Sequence, residues 1–146
     1  MKRLTPRQEA REILKTFKEF SKSYNILTNQ LNLLQTRHQM MLTLGTLTLT
    51  ITGFSGPKMA ASNILSKYGM IFGIFWVLLS IVAILLSTVN LVWVTQFHGE
   101  TDEDTLALLI ERRNLRTRMF HIQLTMLVIG LTSYVVAVIA YLYLGV

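Results

Sequence analysis

The chain contains no cysteine, and this absence excludes two kinds of site. Without thiols there is neither a disulfide framework nor a thiolate metal centre. Charged side chains are also missing from three long stretches, residues 39–57, 68–99 and 119–146. Transporters that couple to protons or sodium ions usually need carboxylates inside the membrane, so the lack of charge in these stretches argues against coupled transport.

The sequence also lacks the residue patterns of enzymes and nucleotide-binding proteins. It has no glycine-rich phosphate loop, no pair of carboxylates at catalytic spacing, and no combination of nucleophile, base and orienting residue. The acids between residues 100 and 104 have the spacing of a helix cap, with Thr101 and Asp104 as its members, and lack that of a calcium loop. We therefore expect no enzymatic activity and no cofactor.

Apolar residues, in contrast, make up 51% of the 146 residues, which is too many for a soluble domain of this size. Each uncharged stretch can supply the roughly 20 helical residues that cross the hydrocarbon layer, the first of them only just. We predict one all-α membrane domain, residues 1–146, with three transmembrane helices in a left-handed bundle. The predicted spans are 39–56, 69–96 and 119–144, and cytoplasmic helical segments 5–37 and 105–118 precede the first and the third.

The basic residues are distributed unevenly around these spans. Of 14 Lys and Arg, eight precede the first span, two lie between the first and second, and four lie between the second and third. This bias predicts a cytoplasmic N-terminus and an outer C-terminus, in a bacterial inner membrane or a plasma membrane. The net charge of +6 then reflects orientation in a membrane, and we expect no nucleic acid partner. Nothing in the first 37 residues resembles a cleavable signal, so the first span is expected to act as an uncleaved anchor.

One stripe organises the first third of the chain. Residues spaced alternately by three and four run from Ala10 to Ser55 and predict one continuous helix that begins in water and ends in the membrane. Thr5 is its predicted N-cap. The stripe is apolar through Leu34 and becomes small and hydroxylic after Met41. A stripe that keeps its register while its polarity changes predicts that one face meets a partner or a cavity on both sides of the membrane boundary.

This stripe carries the residues that we expect to line a pore. Rings of hydroxyl groups can replace the hydration of an ion, and an apolar ring can close a pore by dewetting. The predicted pore-lining residues are Leu27, Leu31, Leu34, His38, Met41, Gly45, Thr48, Thr52 and Ser55. The alternative is that the small side chains pack against the second span within one subunit. Eight apolar stripe positions between residues 10 and 34 exceed what segment 105–118 can cover, which favours a partner subunit. The large side chains of Phe17, Phe20 and Tyr24 favour a homo-oligomer of more than two subunits.

The second and third spans carry stripes of small residues, which mark faces where helices pack closely. The first of these stripes is Gly69, Gly73, Trp76, Ser80, Ala83, Ser87 and Asn90, and the second is Gln123, Met126, Gly130, Ser133, Ala137 and Ala140. Asn90 and Gln123 fall at similar depth on antiparallel neighbours. Because an unpaired amide in lipid is costly, we expect the two to bond each other or to line one cavity.

Histidines and arginines cluster near the predicted inner interface. His38, His98 and His121 lack the spacing of a helical metal site, so we expect no metal ion. The arginines could attract anions to an inner mouth, although contact with lipid headgroups explains them as well. This basic set is Arg37, Arg112, Arg113, Arg116 and Arg118.

Two functions fit these patterns. The first is a homo-oligomeric, channel-like protein with a pore lined by the first helix, a hydrophobic cytoplasmic gate, a Thr- and Ser-lined membrane half and a slight preference for anions. The second is a non-conducting membrane scaffold or accessory subunit that recruits a cytoplasmic protein through its coiled coil. Membrane lipids are expected partners in both.

Overall fold

The computed structural model describes residues 4–89, 99 and 101–144, and every regular element in these residues is an α-helix. The predicted all-α class is confirmed. Two stretches, Ile64–Thr88 and Asp102–Leu144, are long and apolar enough to cross a membrane. The helices in this part of the chain are α1 (Pro6–Phe17), α2 (Phe20–Ser62), α3 (Ile64–Val89) and α4 (Asp102–Leu144).

The first helix begins at the predicted cap and ends earlier than predicted. The Thr5 hydroxyl accepts a hydrogen bond from the Gln8 amide, the Gln8 side chain accepts one from the Thr5 amide, and Pro6 occupies the first turn. At the other end Lys18 adopts the left-handed conformation, with φ of 53°, and its amide donates to the Leu14 carbonyl at 2.9 Å. This conformation ends the helix, because the backbone can no longer follow the right-handed path.

The predicted continuous helix from residue 10 to residue 55 is therefore wrong. Arg113 donates to Glu9 on α1 and to Gln30 on α2 through the same nitrogen, at 2.9 and 3.1 Å. On one straight helix residues 9 and 30 would lie about 31 Å apart. The chain reverses at Lys18, and α1 folds back along the first part of α2.

The second helix extends past its predicted end at residue 56. It passes through Pro57 and stops at Ser62, so much of the stretch between the first two predicted spans is helical. Asn63 alone joins α2 to α3. Its side-chain oxygen accepts a hydrogen bond from the Ser66 amide at 2.7 Å, and its amide nitrogen donates to the Ala140 carbonyl at 3.2 Å. Pro57 has no backbone N–H, so α2 lacks one helical hydrogen bond there. The two hydrogen bonds of Asn63 nevertheless hold the end of α2 and the start of α3 against α4.

The third and fourth helices cover the other predicted spans. Residues 90–96 of the predicted second span lie outside the described part of the chain. The fourth helix is a single element of 43 residues that includes both the predicted segment 105–118 and the predicted span 119–144. The fourth helix starts at the cap predicted from Thr101 and Asp104, since the Asp104 amide donates to the Thr101 hydroxyl at 3.2 Å.

The chain divides into two compact units, and each has its own core. The first unit is Met1–Arg37 with Asn90–Met119, and the second is His38–Val89 with Phe120–Val146. The core of the first unit comes from α1, α2 and α4 and consists of Ala10, Leu27, Leu31, Leu106, Ala107, Leu109 and Ile110. The second unit has two clusters from α2, α3 and α4, one of Met41, Val77, Ile81, Ile84 and Leu127 and one of Met59, Met70 and Ala137.

Candidate functional site

In the first unit the stripe on α2 faces the core of its own chain. Leu27 and Leu31 are 1% and 4% exposed, and both pack in the cluster that includes Ala10 of α1 and Ile110 of α4. Leu34 is buried as well. Because α1 folds back, apolar positions of one part of the stripe cover those of another part. The apolar surface that favoured a second subunit is largely buried within one chain.

In the second unit the stripe continues into contacts with α3 and α4. Met41 is buried in the cluster that contains Ile81 and Leu127. A Cβ atom on Gly45 would lie 2.9 Å from the Ile81 side chain, and Thr52 is only 4% exposed. In the single chain these residues fill an interhelical contact. Pore lining by this stripe stays a prediction, and it requires that the contact open.

The remaining stripe residues are partly buried. The ring of His38 meets the ring of Phe120 edge-on, with centroids 5.4 Å apart. The Ser55 hydroxyl lies 3.3 Å from the Tyr134 hydroxyl, so these two groups link α2 to α4. Thr48 lies between them on α2 and is also partly covered. The stripe thus contacts α4 near both ends of the second unit.

The hydroxyl groups expected to line the pore bond to their own helix. Thr48 donates to the Leu44 carbonyl at 2.8 Å, and Thr52 donates to the Thr48 carbonyl at 2.7 Å. Ser55 donates to the Ile51 carbonyl at 2.9 Å. Each donor is satisfied one turn back, which is how hydroxyl side chains are accommodated in apolar surroundings. This arrangement suits packing in lipid without any need for water.

The small-residue stripes on α3 and α4 contact each other in antiparallel register. The Ser66 hydroxyl donates to the Ala137 carbonyl at 3.0 Å, and the Ser80 hydroxyl donates to the Gln123 carbonyl at 2.9 Å. A step of 14 residues forward along α3 is matched by a step of 14 backward along α4. The stripes of small residues predicted which face of each helix packs against the other. The heptad spacing that both stripes share is the signal from which this register could have been predicted.

Two glycines lie at the midpoint of this register. A Cβ atom on Gly73 would lie 3.0 Å from the Gly130 carbonyl oxygen, and one on Gly130 would lie 2.9 Å from the Gly73 carbonyl oxygen. Only hydrogen in place of a side chain allows the two backbones to approach this closely. Small residues therefore let α3 and α4 approach closely at this contact, while larger side chains such as Val77 and Leu127 fill the core beside it.

Gln123 is the buried amide expected to pair with Asn90. It is 3% exposed, and its side-chain nitrogen donates to the Ala83 carbonyl at 2.9 Å. Its side-chain oxygen has no hydrogen-bond partner among the residues that the structure describes. Asn90 lies outside the described residues, so the pairing of these two amides stays a prediction. The contact to Ala83 nevertheless places the Gln123 side chain against α3, on the side where Asn90 was expected.

Arg113 differs from the other predicted inner-mouth arginines. Its two terminal nitrogens donate to the two carboxylate oxygens of Glu9 at 2.9 and 3.0 Å, and it also donates to Gln30. Its side chain is only 19% exposed. A bidentate pair of this kind is well oriented, and Arg113 acts as a structural clamp between α4 and the folded-back α1. The sequence pattern did not indicate this role, because the partner acid lies 104 residues away.

The remaining arginines stay at the surface. Arg37 and Arg118 are exposed, and Arg112 and Arg116 are partly exposed. Burial lowers the pKa of the Arg116 guanidinium, and the positive charge of Arg112 lowers it further. Arginine remains charged at neutral pH in spite of such effects. These two side chains thus present adjacent positive charges just before the third uncharged stretch.

Further ion pairs join the start of α1 to the start of α4. Arg11 donates to Glu103 at 2.9 Å, and Arg7 lies 3.4 Å from Asp104. Together with the clamp at Arg113, they give α1 polar as well as apolar contacts to α4. Glu103 and Asp104 belong to the acids that were expected only to cap a helix, and the structure adds this second role to both.

A shallow groove of about 580 Å³ also lies along these elements. Its lining contains an arginine and two acids and no arrangement of nucleophile and base. The residues are Thr5, Pro6, Arg7, Asp104, Ala107, Leu108 and Glu111. Among the described residues no three His, Asp or Glu side chains come close enough to hold a metal ion, and His98 lies outside those residues. His121 stacks edge-on against Phe120, with centroids 5.9 Å apart.

No protein family model matches the chain, and no curated protein or solved structure is significantly similar to it.

Proposed function

We propose that the protein is a three-span integral membrane protein that acts as a non-conducting scaffold or accessory subunit. The spans are the second half of α2, α3 and the second half of α4, and the first unit lies on the cytoplasmic side. One observation carries the proposal: between Leu27 and Thr52 the α2 stripe that would line a pore is mostly buried against the chain's own helices, with only His38 and Thr48 partly exposed.

The exterior of the second unit supports membrane insertion. Many of its large apolar side chains point outward, as with Phe54 at 85% exposure, while polar groups such as Ser66, Ser80 and Gln123 share the buried positions with apolar ones. Water would penalise this distribution, whereas lipid favours it. The exposed threonines are accommodated too, because Thr46 and Thr50 donate to the carbonyls of Leu42 and Thr46.

The distribution of charge supports the orientation. Twelve of the 14 basic residues belong to the segments before the first span and between the second and third spans. Basic residues accumulate on the cytoplasmic side of a membrane. The N-terminus is then cytoplasmic and the C-terminus is outside.

The scaffold role follows from what the first unit leaves exposed. Its apolar stripe is occupied by α1, so a partner protein would meet the outer surface rather than the coiled-coil face. Leu33 and Leu115 are largely exposed on that surface. A partner protein that covered these two leucines would remove apolar surface from water, which favours association.

Cysteine labelling tests the number of spans, and the absence of native cysteine gives a clean background. Lys22→Cys and Lys58→Cys place single thiols at exposed positions before and after the first proposed span. In intact cells a membrane-impermeant maleimide should label Lys58→Cys, and it should label Lys22→Cys only after permeabilisation. Labelling of both from the same side would mean that only α3 and α4 cross the membrane and would overturn the proposal.

A channel is the second candidate, and a different face of α2 favours it. Thr43, Thr46 and Thr50 are exposed, and α2 is not among the helices apolar enough to be recognised as spans. In an assembly this face could line a polar path. Planar-bilayer recording of the purified protein decides between the candidates. The absence of any conductance supports the scaffold. A conductance that changes in Thr46→Val or Thr50→Val supports a channel lined by this exposed face. A conductance that changes only in Thr48→Val supports a pore lined by the stripe from Leu27 to Ser55.

A further inference from the structure

Helix α1 is joined to α2 by a hinge of two residues, Lys18 and Glu19. Lys18 has a φ of 53°, a left-handed conformation that is costly for a residue with a side chain. Within the described part of the chain no other residue has a positive φ. The backbone has to reverse inside this short hinge because α1 packs on its own chain. An α1 that packed on a neighbouring chain would let the hinge take an unstrained path.

The contacts that hold α1 are specific for one position along α4. Ala10 is fully buried in the core that α1 forms with α2 and α4. Three ion pairs of alternating polarity accompany this burial. They join Arg7 to Asp104, Glu9 to Arg113 and Arg11 to Glu103, at 3.4, 2.9 and 2.9 Å. These contacts involve neither residue of the hinge, so the α1 of a second, identical chain can form all of them.

Helix α1 is also a complete unit at its start and exposed at its end. Its 12 residues begin with a capping box in which Thr5 and Gln8 bond each other's backbone amides, so the helix does not depend on α2 for its first turn. Phe17, its last residue, is 40% exposed. Two chains that exchanged α1 would cross beside this residue. A second chain at the hinge would then remove the Phe17 ring from water, which favours association.

The hinge is long enough to reach a neighbouring chain. Three residue steps separate Phe17 from Phe20, and they span about 10 Å when the backbone is extended. Packed helices lie about 8–10 Å apart. In the proposed membrane orientation two copies stand parallel, so each α1 can keep its direction when it crosses to the other copy. Short hinges under strain favour such an exchange.

We propose that two copies of the protein exchange α1, which releases the strained turn at Lys18. The α1 of each chain then packs on the face that α2 and α4 of the other chain form, where Leu27, Leu31, Leu106 and Ile110 are buried. This inference goes beyond the scaffold role and depends only on the proposed insertion, which places the two copies in one membrane. Every contact of α1 is kept, and new surface is buried only where the hinges cross.

Cross-linking between two differently tagged, co-expressed chains tests the exchange, and the sequence has no cysteine that could interfere. One full-length chain carries Arg11→Cys and the other carries Glu103→Cys, at positions whose side chains pair at 2.9 Å. Because each chain has one thiol, a short bismaleimide can join α1 to α4 only between chains. An exposed ion pair contributes little to stability, so its loss should leave α1 in place.

The matched control combines Glu12→Cys in one chain with Glu103→Cys in the other. Glu12 is exposed and lies about 100° around α1 from Arg11, so its thiol reports chance collisions. We expect the Arg11→Cys pair to give about fivefold more product with both tags than the control, because α1 docked on the other chain holds the two thiols together.

Hinge variants test the physical cause. Lys18→Gly removes the strain from the unexchanged chain and should lower the cross-link between chains about fivefold. Insertion of Gly-Ser-Gly after Lys18 gives the hinge room to reverse and should also lower it. An unchanged or higher yield in both variants would contradict the proposed release of strain.

Two further outcomes would overturn the exchange. A single chain with both Arg11→Cys and Glu103→Cys gives a covalent dimer if α1 is exchanged, whereas a cross-linked monomer alone would reject the proposal even if the copies pair through another face. Equal yields for the Arg11→Cys and Glu12→Cys pairs would show collision only. Labelling of Lys22→Cys and Lys58→Cys reports on the spans separately, so failed exchange and failed membrane insertion can be distinguished.

Discussion

Gly73 and Gly130 face each other across the contact between α3 and α4. A Cβ atom on Gly130 would lie 2.9 Å from the Gly73 carbonyl oxygen and 2.9 Å from the backbone nitrogen of Val77. Backbone atoms cannot rotate away as a flexible side chain can, so a methyl group at this position has to push the helices apart.

We expect Gly130→Ala to lower the free energy of unfolding by about 1–3 kcal/mol, the usual cost of overpacking. Gly53→Ala is the matched control, because a Cβ atom there meets nothing within 4 Å. Alanine at residue 53 should be neutral or stabilising by up to about 1 kcal/mol through its higher helix propensity. Unfolding in mixed detergent micelles, followed by circular dichroism, measures both. Equal effects of the two substitutions would contradict the close crossing.

Ser66 and Ser80, which both lie on the face of α3 that meets α4, should contribute hydrogen bonds between helices. Ser66→Ala and Ser80→Ala each remove a donor to a carbonyl on α4, and such bonds in membrane proteins contribute about 0.6 kcal/mol on average. Ser133→Ala removes only a bond to Ile129 on the same helix and should have a smaller effect. The same unfolding assay compares the three variants. A larger loss in Ser133→Ala than in the other two would exclude the observed register.

The Glu9 to Arg113 pair should stabilise the folded-back α1. Because both side chains are largely covered, a double-mutant cycle with Glu9→Gln and Arg113→Gln should give a coupling of about 1–3 kcal/mol. The exposed pair of Lys22 and Glu19 is the control, with an expected coupling of about 0.3–0.5 kcal/mol. A coupling for Glu9 and Arg113 no larger than the control would mean that α1 is not held by this clamp.

Replacement of Lys18 by glycine should raise the free energy of unfolding. Its left-handed backbone costs a residue with a side chain about 1–2 kcal/mol, and glycine avoids that cost. Lys18→Gly should therefore stabilise the protein by up to about 1 kcal/mol. Lys15→Gly, at an exposed position inside α1, should destabilise it by about as much. Opposite signs in thermal unfolding support the reversal, and a loss in both variants would indicate a continuous helix.

The local features of the fold could be predicted from the sequence. The helix cap at Thr5 and the helix start at Thr101 follow from short-range hydrogen bonds between neighbouring residues. The packing faces of α3 and α4 follow from the heptad spacing of small residues, which brings Gly73 and Gly130 onto the faces that meet. These features depend on residues within a few turns of one another.

The partner of the α2 stripe could not be predicted in the same way. No glycine or proline marks the reversal at Lys18, and the local cost of its backbone conformation argues for a continuous helix. The reversal is stabilised by contacts distant in sequence, among them the burial of Ala10 with Leu27 and the clamp between Glu9 and Arg113. A stripe shows which face is apolar, but not whether another chain or the same chain covers it.

The sequence alone therefore determined the helical class, the uncharged stretches and the faces along which helices pack, because these follow from composition and from the period of the helix. Only the tertiary structure decided that the long stripe is covered within one chain. The physical reason is that burying its apolar positions against α1 and α4 outweighs the strained turn at Lys18, and that balance is set by the whole core.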